Sequence, residues 1–186
     1  MTPVMPVTPM IPVAQMTTEN NSIQDETAAE DSETGREETD RVKTRALRML
    51  ARRDYSRGEL VRRLTDKGED ETVSETVADW IIEMGYIDDS RYAAEIVRSY
   101  SERGYGPAKV RDELFRRWIP RELWDDALEQ IPESGDTIDR LLLTKLGAWT
   151  DDRREQKRAT DYLRRRGYGW DEIRGALSRL EEESEN

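Results

Sequence analysis

The chain has 186 residues, of which 38% are charged and 35% hydrophobic, and its formal net charge is −11. It contains no cysteine and no histidine, which excludes thiol nucleophiles, disulfides, histidine acid–base catalysis and the usual zinc sites. No apolar run reaches the roughly 18 residues that a membrane-spanning helix needs. The first 16 residues have no basic start and are interrupted by prolines, so no secretory signal is predicted. We expect a cytoplasmic protein without a metal or cofactor.

Charge is distributed unevenly along the sequence. Residues 1–40 hold nine acidic side chains and one basic one, and the last six residues hold four acidic ones. The 140 residues between them have a net charge of only +1. Residues 1–40 also lack aromatic side chains, so they cannot bury enough surface to offset the entropy cost of ordering. We predict a disordered acidic extension at 1–40 and an acidic tail at 183–186, while the translation start stays open among Met1, Met5, Met10 and Met16.

From residue 41 onward, apolar residues recur with helical spacing. The spacing predicts nine helices, at 41–53, 57–67, 71–84, 89–103, 107–117, 120–131, 136–147, 152–166 and 170–182. No segment alternates with a period of two, so no sheet is expected. We predict an all-α fold, an elongated array of three tandem three-helix repeats at 41–88, 89–135 and 136–182.

A twelve-residue pattern occurs three times and supports this repeat architecture. It reads Arg-[Gly/Asp]-Tyr-[Ser/Gly], followed by aliphatic residues at fixed spacing, and its tyrosines are Tyr55, Tyr105 and Tyr168. Internal repetition at intervals of 50 and 63 residues is typical of stacked helical units. The third copy falls one helix later than the others, so either the repeat has shifted in phase or helix seven is an insertion. We interpret the tyrosines as hydrophobic hinges between helices.

The residues around each tyrosine fit the end of one helix and the start of the next. Gly104 and Gly167 occupy the position that needs a left-handed backbone, and Asp54 takes that position in the first copy. Ser56 begins a capping box in which Glu59 reaches back to the cap. Asp88 or Asp89 is predicted to cap the fourth helix, which we prefer to a catalytic carboxylate pair.

The five tryptophans fall into two groups. Three lie on apolar helix faces and are predicted to be core residues, namely Trp80, Trp124 and Trp170. The other two lie near helix ends, where a ring can stay accessible, namely Trp118 and Trp149.

The repeated motif belongs to a longer pattern. At Tyr55 begins Tyr-Ser-x-x-Glu-Leu-x-x-x-Leu, and at Gly85 begins Gly-Tyr-Ile-Asp-Asp-x-Arg-Tyr-Ala. With Gly-Tyr-Gly at 104–106 and Arg-Gly-Tyr at 166–168, the sequence resembles the RecX family of recombination regulators over residues 41–182. One departure is Arg-Trp-Ile-Pro at 117–120, where the family often has Lys-Gly.

The resemblance implies a non-enzymatic protein that binds the RecA recombinase filament and contacts single-stranded DNA directly or through that filament. Such proteins usually limit filament growth, and with it strand exchange and the co-protease activity that triggers the SOS response. We expect a monomer that modulates, and most often inhibits, these activities in DNA repair.

Two predicted helices carry cations on the face opposite their apolar residues. In the first helix these are Arg41, Arg45, Arg48 and Arg52, and in the eighth they are Arg153, Arg154, Lys157, Arg158, Arg164 and Arg165. A charged outer face is commonly just solvated. Four arginines aligned without an acid at i+4, however, suit docking against phosphates or an acidic partner surface. We predict that these ten side chains are the candidate contacts to a partner or to DNA.

Two other functional classes stay open. A helical-repeat scaffold for protein–protein contacts would need no DNA, and a pulldown that does not respond to single-stranded DNA would favour it. A carboxylate-based enzyme would need clustered acids of perturbed pKa in a concave pocket, and the sequence contains no such cluster.

Overall fold

The computed structural model describes residues 16–131, 135–147, 150 and 152–185, with side chains described from residue 33 to residue 184. Within these ranges the chain is all-α and contains no strand. Its helices are α1 (Met16–Leu50), α2 (Arg57–Thr65), α3 (Glu71–Glu83), α4 (Asp89–Glu102), α5 (Pro107–Arg116), α6 (Trp124–Leu128), α7 (Gly135–Leu146), α8 (Arg153–Arg165) and α9 (Trp170–Glu185). None of these helices is both long enough and apolar enough to span a bilayer.

The nine α-helices of the described ranges form three groups of three, each around its own apolar core. The first core joins α1, α2 and α3 through residues such as Val42, Leu64 and Ile81. The second joins α4, α5 and α6, and the third joins α7, α8 and α9. Each helix packs mainly on helices of its own group. This is the predicted array of three-helix repeats, and its stability comes from three small cores.

The third core includes side chains of α7. Ile138 and Leu142 of α7 are fully buried against Leu163 of α8 and Ile173 of α9. Helix α7 therefore packs as one of the three helices of this core. The tyrosine motif lies between the first and second helices in repeats one and two, but between the second and third helices in repeat three.

Helix α1 begins well before the boundary predicted at residue 41. The sequence from Met16 to Leu50 contains no proline and only one glycine, so little in it stops a helix. Residues 33–40 continue α1 with exposed or half-buried side chains, and the first core residue of the repeat is Val42. The end of the predicted extension, residues 33–40, is thus helical in the structure but adds nothing to the described core. Residues 1–15 lie outside the described residues.

Two further expectations are corrected. The helix predicted at 120–131 is a 3₁₀ turn at Arg121–Leu123 followed by the short α6, because hydrogen bonds between residues three apart tighten both ends. Asp54 does not adopt the left-handed conformation predicted for it, since α1 already ends at Leu50. Gly104 and Gly167 do adopt that conformation, with φ of 72° and 91°.

Side-chain caps fix where the helices start. Ser56 caps α2 by accepting a hydrogen bond from the Glu59 backbone N–H at 3.0 Å, and Asp88 caps α4 in the same way. The predicted capping box is only half correct, because the Glu59 carboxylate accepts hydrogen bonds from Arg53. Asp89 accepts a hydrogen bond from the Arg57 backbone N–H, at the start of α2. A residue of the second repeat thereby caps a helix of the first.

The second and third repeats meet backbone to backbone. The Gly106 N–H donates to the Arg166 carbonyl at 2.8 Å, and the Ala108 N–H donates to the Gly167 carbonyl at 3.1 Å. A Cβ atom at Gly167 would lie 2.4 Å from the Lys109 nitrogen, and one at Gly106 would lie 2.6 Å from the Gly167 oxygen. Neither position has room for a side chain. The glycines of the motif therefore serve the joint between repeats as well as the helix ends.

The first and second repeats meet through charged side chains. Arg117, which ends α5, approaches Glu113 at 2.8 Å and Glu59 of the first repeat at 3.7 Å, and its carbonyl accepts a hydrogen bond from Ser56. Both carboxylates are almost fully buried. Burial alone would raise the pKa of Glu113, but hydrogen bonds from Arg117 and Tyr100 and the charge of Arg116 hold that pKa below its ordinary value.

We expect Gly167→Ala to lower the free energy of unfolding by about 2–5 kcal/mol, because left-handed strain and the clash with Lys109 add. Gly85→Ala is the matched control, since Gly85 has a φ of 74° and nothing within 4 Å of its added Cβ. It should cost only the strain, about 1–2 kcal/mol. Urea unfolding measures both. Equal losses in the two variants would show that the close approach contributes nothing.

We expect the stability lost in Glu113→Gln to depend on pH. A carboxyl whose pKa is lower in the folded state stabilises the fold above its unfolded value, about 4.3, and this contribution disappears as the pH falls through the folded value. The difference in unfolding free energy between wild type and Glu113→Gln should therefore shrink from pH 6 to pH 3. Glu83→Gln removes an exposed carboxylate that makes no ion pair within the described ranges, so its effect should stay near zero throughout. A constant Glu113→Gln penalty would contradict this account.

Candidate functional site

Helix α8 carries the most one-sided basic surface of the described residues. All six predicted cations are exposed, and together they form the α8 basic face, made of Arg153, Arg154, Lys157, Arg158, Arg164 and Arg165. Only Lys157 has an ion-pair partner among the described residues, Asp161 at 3.8 Å. The other five guanidinium groups are available to an anion outside this chain.

The packing of α8 explains why these cations face outward. Ala159 and Leu163 are fully buried in the third core, so their side of the helix faces α7 and α9. Asp152 fixes the start of the helix by accepting a hydrogen bond from the Arg154 N–H at 2.8 Å. With the apolar stripe and the start both fixed, the basic residues occupy the opposite side. The arrangement predicted for this helix is therefore present.

The α1 arginine face, made of Arg41, Arg45, Arg48 and Arg52, is different. Arg41 and Arg45 lie 3.0 and 2.6 Å from the two oxygens of Glu69, whose side chain is only 2% exposed. Glu69 comes from the turn between α2 and α3. Arg41 donates a hydrogen bond to this buried carboxylate, and Arg45 pairs with it by charge although the Glu69 Oε1 atom accepts no hydrogen bond from the described residues. Both arginines are therefore less free to contact a partner than their spacing suggested.

The other two arginines of this face remain exposed. Arg48 lies in the last turn of α1 and Arg52 in the turn that follows, and neither has an ion-pair partner in the described part of the chain. A search for acidic residues four positions along the helix from each arginine could not detect Glu69, because Glu69 is 28 residues from Arg41. The available signal was the acid directly after Gly68, at a helix end that must turn back toward α1.

The three motif tyrosines lie at helix junctions, and Tyr55 and Tyr105 contact arginines. Tyr168 is buried, and burial raises the pKa of its hydroxyl. The half-buried Tyr55 lies under Arg53, whose guanidinium is 3.7 Å from the ring centre. Tyr105 lies between the guanidinium groups of Arg103 and Arg166, at 5.1 and 5.0 Å. Their rings are therefore engaged within the fold.

The paired carboxylates at 88 and 89 act in capping. Asp88 caps α4, and Asp89 is half-buried against the start of α2, where burial raises its pKa and the Arg57 N–H opposes that rise. In the ranges that the structure describes, no group of three or more potential ligands could hold a metal ion.

The tryptophans follow the prediction only in part. Trp80 and Trp124 are half-buried against the first and second cores. Trp170 was predicted to be core but is 50% exposed, because it is the first residue of α9 and the buried stripe starts only at Ile173. Trp118 is 49% exposed. Trp149 lies outside the described residues.

Comparisons with known proteins agree with this architecture. The family descriptions "RecX, first three-helix domain" and "RecX, second three-helix domain" match residues 43–80 and 88–128. A protein named regulatory protein RecX from Halorhodospira halophila is 35% identical over 146 residues, covering 77% of this chain and 91% of the relative. One of the same name from Stenotrophomonas maltophilia is 38% identical over 154 residues, covering 80% and 94%.

Solved structures show the same fold. The crystal structure of RecX from Lactobacillus salivarius superimposes with a TM-score of 0.70 at 19% identity, covering 78% of this chain and 97% of that one. A second crystal structure, of a regulatory protein RecX, gives a TM-score of 0.68 at 21% identity, covering 78% and 73%. From the matched domains and from the coverage and identity of these relatives, the chain belongs to the RecX family.

Proposed function

We propose that this protein binds, as a monomer, the RecA recombinase filament formed on single-stranded DNA. Binding lowers the filament's ATPase, strand-exchange and co-protease activities, and so restrains DNA repair and the SOS response. Membership of the RecX family supports this proposal, since its curated relatives are named regulatory proteins.

The observation that carries the proposal is the α8 basic face. It places six cations on one exposed helix side of a chain whose net charge is −11. Arginine binds phosphate and carboxylate groups with paired hydrogen bonds, and a filament on DNA offers both. Cations that neutralise phosphates release counterions, which gives binding a strong dependence on salt. The α8 basic face is thus the main electrostatic contact in this proposal.

The α1 arginine face has a smaller part. Arg41 and Arg45 would have to leave the buried Glu69 in order to contact a phosphate, and a buried carboxylate without a partner is costly. Arg48 and Arg52 could contact a partner without disturbing the fold. The two faces therefore differ in how many cations each can offer.

We expect addition of this protein at sub-stoichiometric amounts to lower the DNA-dependent ATP turnover of RecA, because one molecule that blocks filament growth affects many subunits. A coupled assay with RecA and a long single strand measures the rate. An unchanged rate at several-fold excess would remove the proposal. Capture of the protein by a partner with equal yield with and without single-stranded DNA would favour a scaffold instead.

Charge reversal in the two faces tests where the contact lies. Lys157→Glu with Arg164→Glu should weaken binding to the RecA–DNA filament and reduce the log–log salt slope by about 1.4, at roughly 0.7 per lost single-strand phosphate contact. Arg48→Glu with Arg52→Glu is the matched pair on α1 and should have a smaller effect. Both pairs are exposed, so stability should change by less than about 0.5 kcal/mol per site. Unchanged affinity and slope in both variants would show that these faces are only solvated.

A further inference from the structure

A groove on the second repeat combines aromatic rings with arginines. A cavity of about 560 Å³ opens where the end of α5 and the following 3₁₀ turn face α2. Its walls include the rings of Phe115, Trp118 and Trp124 and the guanidinium groups of Arg62, Arg116 and Arg121. A second cavity of about 530 Å³ shares Phe115 and Trp124 and adds Lys109, Arg111 and Asp112. We call these two adjoining cavities the aromatic groove.

The rings at this groove are unusually open to solvent. Phe115, the one phenylalanine of the chain, is 65% exposed, and Trp118 is 49% exposed. Burial of such large apolar side chains would stabilise the fold, and here much of that stabilisation is forgone. Large apolar groups gathered at one exposed concave site are typical of a binding surface.

The backbone at Trp118 adds a second, independent observation. Four other helices end with the same pair of hydrogen bonds, and there the left-handed residue is glycine: Gly68, Gly85, Gly104 and Gly167. Helix α5 ends with that same pair, yet its left-handed residue is Trp118, at a φ of 56°. A residue with a side chain is strained in this conformation, because its Cβ atom comes too close to the following carbonyl oxygen. Such strain is found where a side chain must be held in a particular place.

The surroundings hold the Trp118 ring in place at the groove. A Cβ atom added at Gly58 would come within 3.0 Å of the Trp118 Cβ and carbonyl oxygen, so this glycine lets the strained residue sit directly on α2. The guanidinium of Arg62, one turn further along α2, lies 4.8 Å from the ring centre. The ring is therefore fixed on one side and open on the other.

The charge of the groove selects an anionic ligand. Five cations line the two cavities, namely Arg62, Lys109, Arg111, Arg116 and Arg121, against the single carboxylate of Asp112. Within the described ranges, Arg111 and Arg121 have no ion-pair partner, and Arg121 lies 5.2 Å from the ring centre of Trp124. Open rings beside free cations fit a chain that has both flat apolar groups and negative charges.

We propose that the aromatic groove binds single-stranded nucleic acid directly, with bases stacked on Phe115 and Trp118 and phosphates held by Arg111 and Arg121. Stacking on aromatic side chains beside a basic track is how single strands are held without sequence preference. A duplex hides its base faces within its own stack and cannot offer them. The choice of DNA, among single-stranded nucleic acids, rests on the proposed function. The groove itself would bind the strand in the absence of a RecA filament.

The test measures DNA binding by the full chain alone, without RecA. Fluorescence anisotropy compares a labelled thymidine 20-mer with an abasic strand of equal length and charge. We expect the thymidine strand to bind at least ten-fold more tightly, because only it can stack. Phe115→Ala and Trp118→Gly should each weaken thymidine binding by about 5- to 100-fold, in line with the loss of one stacked base, and should barely affect the abasic strand.

The variants are chosen so that loss of folding cannot imitate loss of binding. Glycine adopts the left-handed backbone freely, so Trp118→Gly removes the ring and the strain together. Trp170→Ala is the matched control, since Trp170 is 50% exposed and has Arg174 at 5.8 Å from its ring but lies outside the groove. It should leave binding to both strands unchanged.

Three outcomes would overturn the inference: equal affinity for the two strands, groove variants that bind as tightly as Trp170→Ala, or no binding at all. Groove variants that keep DNA affinity but lose the filament would mark a protein-binding site instead, which also overturns it. The proposed function is judged separately by RecA turnover. Stacking without any effect on RecA would leave this inference standing and remove the proposed function.

Discussion

The close approach of the helix start at Gly106 to the helix end at Gly167 sets the spacing of the second and third repeats. Two backbone hydrogen bonds cross this joint, and neither position has room for a side chain. Because the bonds involve the backbone itself, they fix the end of α8 against the start of α5 and hence the orientation of the α8 basic face. The first joint has a different chemistry, with Arg117 between two buried carboxylates and Ser56 on its carbonyl. One joint depends on the absence of side chains and the other on their charge.

The basic side chains fall into two groups, those that pair with buried carboxylates within the fold and those that remain available to a partner. Arg41, Arg45 and Arg117 each approach a buried carboxylate, so they serve the interior although part of each is exposed. The α8 cations and the groove arginines Arg111 and Arg121 lack that role. The helical body is thus nearly neutral overall but has two basic surfaces, on the second and third repeats. The excess acidic residues of the chain lie mostly in its two terminal segments.

Sequence periodicity predicted most of the fold because the apolar stripes are regular and several helices end at glycine. The ends of α2, α3, α4, α5 and α8 lie within two residues of their predicted places. Contacts between distant residues escaped prediction. Glu69 reaches the α1 arginine face from the next loop, and Asp89 caps a helix of the neighbouring repeat, and neither follows from spacing along one helix. Periodicity also treats α1 and α8 as alike, although all six α8 cations are exposed while two of the four on the α1 arginine face pair with the buried Glu69.

The aromatic groove illustrates a different limit of sequence reasoning. Trp118 was recognised as a residue near a helix end, but its left-handed backbone is unexpected from composition, since glycine normally takes that position. Phe115 lies one turn before it on α5, and its ring is left exposed. Both features arise from how the second repeat closes, which becomes visible only once the helices are assembled.

The three cores share no residue, and this has a consequence for how the molecule loses its structure. In a one-dimensional description, each repeat has its own intrinsic stability, and neighbours are coupled only through the few bonds at each joint. Within the described residues, the first and third repeats each contact a neighbour on one side only, so each opens at a lower free energy than a central unit of equal intrinsic stability. Amide hydrogens of α8 would then exchange before those of α4, and the helix with the strongest basic surface would belong to a part of the array that opens more readily than its centre.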